Sequence, residues 1–175
     1  MSNQHHSYSL KGTKLNFKAL QTVFAILISG TLIGCSSTPI RCSANSKADV
    51  HQAHDNFVNA INSNNLDQFL SMITEDIVFM APNSPRLVGK DQIKPWGASY
   101  YDAFHTSWTK TSLELVVIGE WAFEQYTYES EDTEKATGLV YRDTGKGIII
   151  YHHDSDGVWR VARDAWNSDL PIIGE

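Results

Sequence analysis

Four long segments in the second half of this 175-residue chain carry the residue pattern of β-strands. They span residues 108–118, 120–129, 147–153 and 158–167 and are rich in β-branched and aromatic side chains. Gly119-Glu120 and Asp156-Gly157 are typical of the tight turns that join neighbouring antiparallel strands. A sheet of this kind buries one face, so the chain must also supply a layer that covers it.

Helical segments precede these strands and provide that layer. Apolar residues between Val50 and Ile61 lie on one stripe of a first helix that begins near Ser46. Further helices are predicted over 66–73 and 91–103, with a short strand over 76–81 and a polar excursion over 130–146. The acidic run 129–134 is interpreted as a solvated loop. Helices first and an antiparallel sheet last predict an α+β fold, with the helices on one concave sheet face.

The first 34 residues differ in composition from the rest of the chain. Lys11, Lys14 and Lys18 occur there without any acidic residue, and an apolar stretch follows over 19–34. This order is the pattern of a secretory signal peptide, and the apolar stretch is short for a membrane span. An uncleaved anchor helix and a mis-assigned start are the alternatives.

The end of the apolar stretch, Leu32-Ile33-Gly34-Cys35, resembles the lipobox of bacterial lipoproteins. The resemblance implies a signal peptide over 1–34, cleavage before Cys35 and lipidation of that cysteine. The serine-rich composition that follows, with Pro39, predicts a tether over 35–46 ahead of a folded domain over 47–172. Ser36 is not the aspartate that is associated with inner-membrane retention. The expected location is therefore the cell envelope, at the periplasmic face of the outer membrane.

Charge limits the partners that this domain can have. The formal net charge is −6, and it becomes −9 when the three leader lysines are removed. Such a surface repels phosphate backbones and anionic lipid headgroups, so we expect no nucleic-acid partner and no membrane contact beyond the lipid anchor. Cys42 is then the only remaining thiol, and no disulfide framework is predicted.

Short motifs in the predicted domain keep a characteristic order and spacing. They lie at 57–61, 64–67, 74–76, 87–93, 119–122, 156–161 and 163–169. In this order they resemble the SnoaL-like superfamily, which shares its fold with nuclear transport factor 2 and the steroid Δ-isomerases. The resemblance implies a cone-shaped α+β barrel, in which about three N-terminal helices pack on a curved, mainly antiparallel sheet. It also implies an outer sheet face that supports homodimers or partner docking.

The isomerase mechanism does not carry over to this chain. The resemblance places the oxyanion tyrosine at Phe57, the base at Ala81 and the protonated acid at Ile149, and none of these side chains can donate or hold the required proton.

The same overlay predicts which residues point into the cone. The residues expected inward are Ile77, Phe79, Ala81, Phe123, Gln125, Thr127, Ile149, Tyr151, Ala162, Asp164 and Trp166.

These orientations predict an apolar cavity with few polar groups, which is typical of a small-molecule site. The predicted ligand-binding residues are Phe57, Trp96, Tyr100, Phe123, Gln125, Thr127, Tyr151 and Trp166. Asp164 is the candidate catalytic residue, because burial should raise the pKa of its carboxyl toward the range that suits acid or base work. The alternative is a structural ion pair of Asp164 with Arg142, Arg160 or Arg163.

Metal and cofactor sites are not predicted. His51, His54 and Asp55 provide no evident third ligand, and His152 and His153 point to opposite faces of a strand, so the histidines are interpreted as solvated. The sequence thus favours an envelope lipoprotein that binds a small, largely apolar molecule, with acid or base catalysis by Asp164 as an extension. A non-catalytic interaction or dimerisation module is the alternative.

Overall fold

The computed structural model describes residues 44–171. The predicted signal peptide, Cys35 and most of the predicted tether lie outside the described residues. The elements in chain order are α1 (Ala44–Asn62), α2 (Leu66–Ser71), β1 (Ile73–Met80), β2 (Leu87–Val88), α3 (Lys90–Ala103), β3 (Phe104–Ile118), β4 (Trp121–Glu134), β5 (Val140–His153) and β6 (Trp159–Ser168). Across residues 44–171, no helix is both long and apolar enough to cross a membrane.

The six strands form one curved sheet in the order β2-β1-β6-β5-β4-β3. All neighbours are antiparallel except β1 and β6, which run parallel. The predicted α+β class, with three N-terminal helices on a mainly antiparallel sheet, is confirmed. The sheet is open, however, because the short β2 and the long β3 form its two edges and do not pair with each other.

The predicted excursion over 130–146 is wrong, because β4 and β5 form one long hairpin. Its ladder extends to the pair Thr133–Val140, and Gly138 closes the turn by donating its backbone N–H to the Glu134 carbonyl at 2.8 Å. These residues have weak β propensity, but cross-strand partners such as Glu131 and Arg142, joined at 2.8 Å, stabilise the extended form.

The phase of β4 is opposite to the predicted one. Glu124, Tyr126 and Tyr128 are buried under the helices, whereas Gln125 and Thr127 are exposed. The ladder pairs Glu124 with Ile149, and Ile149 with Asp164, so these residues form one row on the inner face.

The predicted inward orientation of Phe123, Gln125 and Thr127 is therefore wrong. Both alternating sets of β4 contain aromatic side chains, so alternation alone does not fix the phase, and a one-residue slip reverses every side chain.

Two glycines in β5 leave room for tyrosine rings from β4 to lie over this strand on the inner face of the sheet. A Cβ atom on Gly147 would lie 2.5 Å from the Tyr126 ring, and one on Gly145 would lie 2.7 Å from Tyr128. Contacts this short are not tolerated, so only glycine lets both rings lie flat across β5. The Tyr126 hydroxyl thereby reaches Asp164 on β6, and the Tyr128 hydroxyl reaches Asp143 on β5.

Candidate functional site

A cavity of about 300 Å³ lies between the helices and the inner face of the sheet. Five of the nine predicted catalytic and ligand-binding residues line it: Phe57, Trp96, Tyr100, Asp164 and Trp166. Most of the other lining side chains are also aromatic or aliphatic. The hollow is thus wide enough for a small organic molecule and has few polar groups.

One wall of the cavity is built from rings that α3 presents one turn apart. Trp96 and Tyr100 stack almost in parallel, with centroids 5.7 Å apart and an interplanar angle of 4°. Phe79 meets Trp96 and Trp166 edge-on at 5.9 and 5.6 Å. Edge and offset contacts of this kind are the favoured aromatic geometries, so the wall is ordered by its own packing.

Asp164 forms the closed end of the cavity with Lys110 and Tyr126. Lys110 Nζ donates to Asp164 Oδ2 at 3.1 Å, and the Tyr126 hydroxyl donates to Oδ1 at 2.8 Å. The Lys110 and Asp164 side chains are only 2% and 3% exposed. Nζ also lies over the Tyr126 ring, 4.2 Å from its centroid, and 5.1 Å from that of Phe57. Both charges are therefore removed from water and satisfied by protein groups.

Burial raises the pKa of the Asp164 carboxyl above its ordinary value. The positive charge of Lys110 and the hydrogen bonds from Tyr126 and Lys110 oppose this effect, and the nearby Glu124 carboxylate adds to it. The net result is a carboxyl that holds a proton more readily than an exposed aspartate does. Such a group at a cavity wall can donate or accept a proton.

The partner of Asp164 is not one of the arginines considered from the sequence. Arg142 pairs with Glu131, Arg160 with Asp154 and Asp156, and Arg163 with Asp76. Sequence reasoning missed Lys110, because a lysine in a threonine-rich strand is usually solvated. Its alternation with Thr106 and Trp108, which also face inward, was the available signal.

Two further carboxylates line the cavity away from Asp164, at the end that we call the open end because both are only half-buried. Asp132 accepts a hydrogen bond from the Tyr100 hydroxyl at 2.6 Å and another from Thr106. Asp143 accepts from the Tyr128 hydroxyl at 2.7 Å and from Ser168 at 2.5 Å. Both line the cavity and are half-buried. The interpretation of 129–134 as a solvated loop is therefore wrong, and these two site residues were missed.

Comparisons with known proteins fit this architecture. Residues 54–166 match the family model described as a SnoaL-like domain. The chain belongs to the SnoaL-like family. No match was found among curated protein sequences.

Solved structures share the fold of this SnoaL-like domain. A ketosteroid isomerase-like protein from Erwinia carotovora atroseptica is 25% identical with a TM-score of 0.67, covering 73% of this chain and 99% of that one. An NTF2-like superfamily protein from Salmonella enterica is 14% identical with a TM-score of 0.63, covering 75% and 96%. An NTF2-like protein from Streptomyces avermitilis, provisionally named a dehydratase, is 14% identical with a TM-score of 0.63, covering 73% and 99%.

A second buried network, formed by His54, Glu124 and Tyr151, contacts the Lys110 backbone at the closed end of the SnoaL-like cavity. His54 Nδ1 lies 2.9 Å from Glu124 Oε2, and the Tyr151 hydroxyl donates to the same oxygen at 2.7 Å. His54 Nε2 lies 3.2 Å from the Lys110 carbonyl oxygen. Both histidine nitrogens thus face acceptors, which is satisfied when the ring is an imidazolium that donates twice.

The pKa values in this network follow from the pairing. Burial disfavours the charge on His54, but the hydrogen bond and charge of Glu124 outweigh it and raise the pKa of the imidazole above 6.5. Burial likewise disfavours the Glu124 charge, and hydrogen bonds from His54, Ser112 and Tyr151 lower the pKa of that carboxyl below 4.5. The interpretation of His54 as solvated is therefore wrong.

The remaining predicted site residues lie away from the cavity. Tyr151 is buried in the His54 network and is not on the cavity wall. Phe123, Gln125 and Thr127 lie on the outer face of β4, so no ligand in this cavity would reach them. Among the described residues, no group of three His, Cys, Asp or Glu side chains could hold a metal ion.

Breaking the Lys110–Asp164 pair should destabilise the fold far more than removing both charges. Asp164→Asn leaves a buried ammonium without a counter-charge, and we expect a loss of about 3–5 kcal/mol in the free energy of unfolding. Lys110→Met combined with Asp164→Asn should recover most of that loss, because the amide oxygen still accepts from Tyr126. Urea denaturation measures both variants.

Arg163→Gln is the matched control, because it breaks an exposed pair and should cost less than about 1 kcal/mol. A double variant that is no more stable than Asp164→Asn would contradict this account.

The His54–Glu124 pair should also make stability depend on pH. The pKa of His54 is raised on folding, so its contribution is complete below pH 6.5 and is lost as the pH rises through the folded-state pKa. The pKa of Glu124 is lowered, so its contribution is complete above pH 4.5 and is lost in acid. Urea titrations should show the largest stability difference between wild type and His54→Gln near pH 4.5–6.5. A difference that grew toward pH 9 would show that the charged pair is absent.

Proposed function

We propose that this chain is an envelope lipoprotein whose SnoaL-like domain binds a small, largely apolar molecule and exchanges a proton with it through Asp164. The observation that carries the proposal is a cavity of about 300 Å³ with aromatic walls that ends at a buried carboxyl of raised pKa. Small-molecule sites typically combine an apolar hollow with a few placed polar groups, and perturbed acids concentrate at such sites.

The closed end supplies the groups that proton transfer needs. Asp164 carries or accepts the proton, the Tyr126 hydroxyl and Lys110 ammonium hold the carboxyl in place, and the ammonium stabilises negative charge that develops on the ligand. Isomerisation and dehydration, which appear in the names of two structures of this fold, are reactions that move protons. Asp164 takes this role at a position different from those occupied by Phe57, Ala81 and Ile149.

Apolar residues on the outer sheet face favour a second candidate, an interaction or dimerisation module. Trp121 and Ile148 on this face are 45% and 49% exposed. Phe123 and Ile150, which pair across β4 and β5, are half-buried beside them. An exposed patch of this kind is typical of a protein–protein contact surface, which can coexist with the cavity.

The envelope part of the proposal depends on Cys35. Because one acyl chain anchors weakly and two anchor durably, diacylation would hold the domain at a membrane surface. We expect the mature protein from its bacterial host to begin at Cys35, to carry the mass of a diacylglycerol group and to fractionate with membranes. Cys35→Ser should leave a longer, unlipidated precursor. Intact-mass measurement of both forms decides, and an unmodified Cys35 in the mature wild type would contradict the assignment.

Binding in the cavity is tested with the neutral fluorophore N-phenyl-1-naphthylamine. The full chain should bind one equivalent with a rise in fluorescence, because the dye is transferred from water to an apolar hollow. Trp96→Ala removes one ring of the cavity wall and should weaken binding by up to about tenfold, since a lost aromatic contact costs about 0.5–1.5 kcal/mol. Trp121→Ala, on the outer face, should leave dye affinity unchanged.

Failure of the dye to bind the folded chain, or equal losses in the two variants, would contradict cavity binding. Sedimentation of the same variants tests the second candidate. If the outer face mediates self-association, Trp121→Ala shifts the protein toward monomer and Trp96→Ala does not. A monomeric wild type would remove the dimerisation candidate.

A further inference from the structure

We propose that the molecule bound in this cavity is a cation, an organic ammonium with an apolar body. The inference rests on the proposed binding function and specifies the chemical class of the ligand. It follows from the balance of charge on the cavity wall and from the aromatic faces beside the unbalanced charges.

Three carboxylates and one ammonium line the cavity. The Lys110 ammonium is engaged by Asp164 at 3.1 Å, so this pair is internally compensated. Asp132 and Asp143 form no ion pair with any residue in the part of the chain that the structure describes. Their hydrogen-bond donors are neutral: Tyr100 and Thr106 for Asp132, and Tyr128, Ser168 and the Thr144 backbone for Asp143.

The two uncompensated carboxylates belong to neighbouring strands, β4 and β5, at the open end. The ladder pairs Asp132 with Tyr141 and Asp143 with Ser130, so the two aspartates occupy diagonal positions on the same face of neighbouring strands. Diagonal residues are about 7–8 Å apart, a spacing at which one ammonium group can interact with both. Asp164 on β6 pairs with Ile149, which lies six residues beyond Asp143 on β5, at the closed end.

Aromatic faces stand beside this acidic end. The Tyr100 hydroxyl donates to Asp132 at 2.6 Å, and its ring stacks on Trp96, so the carboxylate and the π surface are part of one assembly. Aromatic faces attract ammonium groups through the ring quadrupole. The cavity already holds one ammonium in this way, because Lys110 Nζ lies 4.2 Å from the Tyr126 centroid.

The same arrangement disfavours other ligand charges. An anionic head would face two carboxylates, and Lys110, the one cation among the described residues that line the cavity, is engaged with Asp164. A neutral molecule of the same shape would fill the hollow but gain nothing from Asp132 and Asp143. The expected ligand therefore places its apolar body toward Lys110 and Trp166 and its positive head between the two aspartates.

Displacement of N-phenyl-1-naphthylamine from the full 175-residue chain tests this inference with three probes of similar shape. Benzyltrimethylammonium is the cation, neopentylbenzene is its neutral carbon isostere, and phenylacetate is an anion. We expect the cation to bind about tenfold more tightly than the isostere and phenylacetate to bind weakest. Added salt should weaken binding of the cation, because it screens the attraction to the two aspartates, and should not change the affinity for neopentylbenzene.

Charge-removing variants locate the effect. Asp132→Asn and Asp143→Asn should each reduce the preference for the cation about threefold to fivefold, and leave the affinity for neopentylbenzene unchanged. Glu129→Gln is the control, because Glu129 lies on the same strand as Asp132 but on the outer face.

Equal affinity for the cation and its isostere in the unmodified chain would overturn the cation inference and leave cavity binding intact. Failure of the dye and of all three probes to bind would overturn both.

Discussion

The Lys110 ammonium and the Asp164 carboxyl are both buried away from water at the closed end of the cavity. Residues from several distant parts of the chain stabilise this buried pair. Taking two charges out of water costs several kcal/mol per ion unless geometry and hydrogen bonds compensate. Tyr126 supplies a second donor to Asp164, and its ring faces the ammonium. Gly147 leaves the space in which that ring crosses β5. His54 is hydrogen-bonded to the Lys110 carbonyl oxygen through Nε2 and to the Glu124 carboxylate through Nδ1.

This requirement explains why the hollow can stay open. The Asp164 carboxyl receives its hydrogen bonds from Lys110 and Tyr126, so no helix residue has to fill the hollow to pair it. The rings of α3 and β1 pack edge-on and offset against one another. The result is a gradient along the cavity. A compensated ion pair lies at the closed end and two uncompensated carboxylates lie at the open end, so the two ends place different demands on a ligand.

Local pattern was sufficient for the fold class and for part of the site. The helical stripe containing Phe57, the one-turn spacing of Trp96 and Tyr100, and the hairpin at Asp156-Gly157 each depend on residues close in sequence. The phase of β4 was not accessible in this way, because both of its faces carry aromatic residues and only the ladder with β5 selects one. Lys110 and Asp132 were missed for a related reason: a charged residue in a strand is normally solvated, and its burial depends on partners far away in the sequence, such as Asp164 and Tyr100.

Exchange of protons between Asp164 and the bound molecule is the central claim, and hydrogen isotope exchange measures it most directly. The chain, purified with the molecule that accompanies it from its own host, is placed in D₂O, and deuterium entering the carbon-bound positions of that molecule is followed by mass spectrometry after its N–H and O–H positions have been exchanged back to hydrogen. The wild type should exchange at least about a hundredfold faster than folded Asp164→Asn and folded Lys110→Met with Asp164→Asn. Equal exchange in all three proteins, or none above the buffer rate in the wild type, would contradict the role given to Asp164.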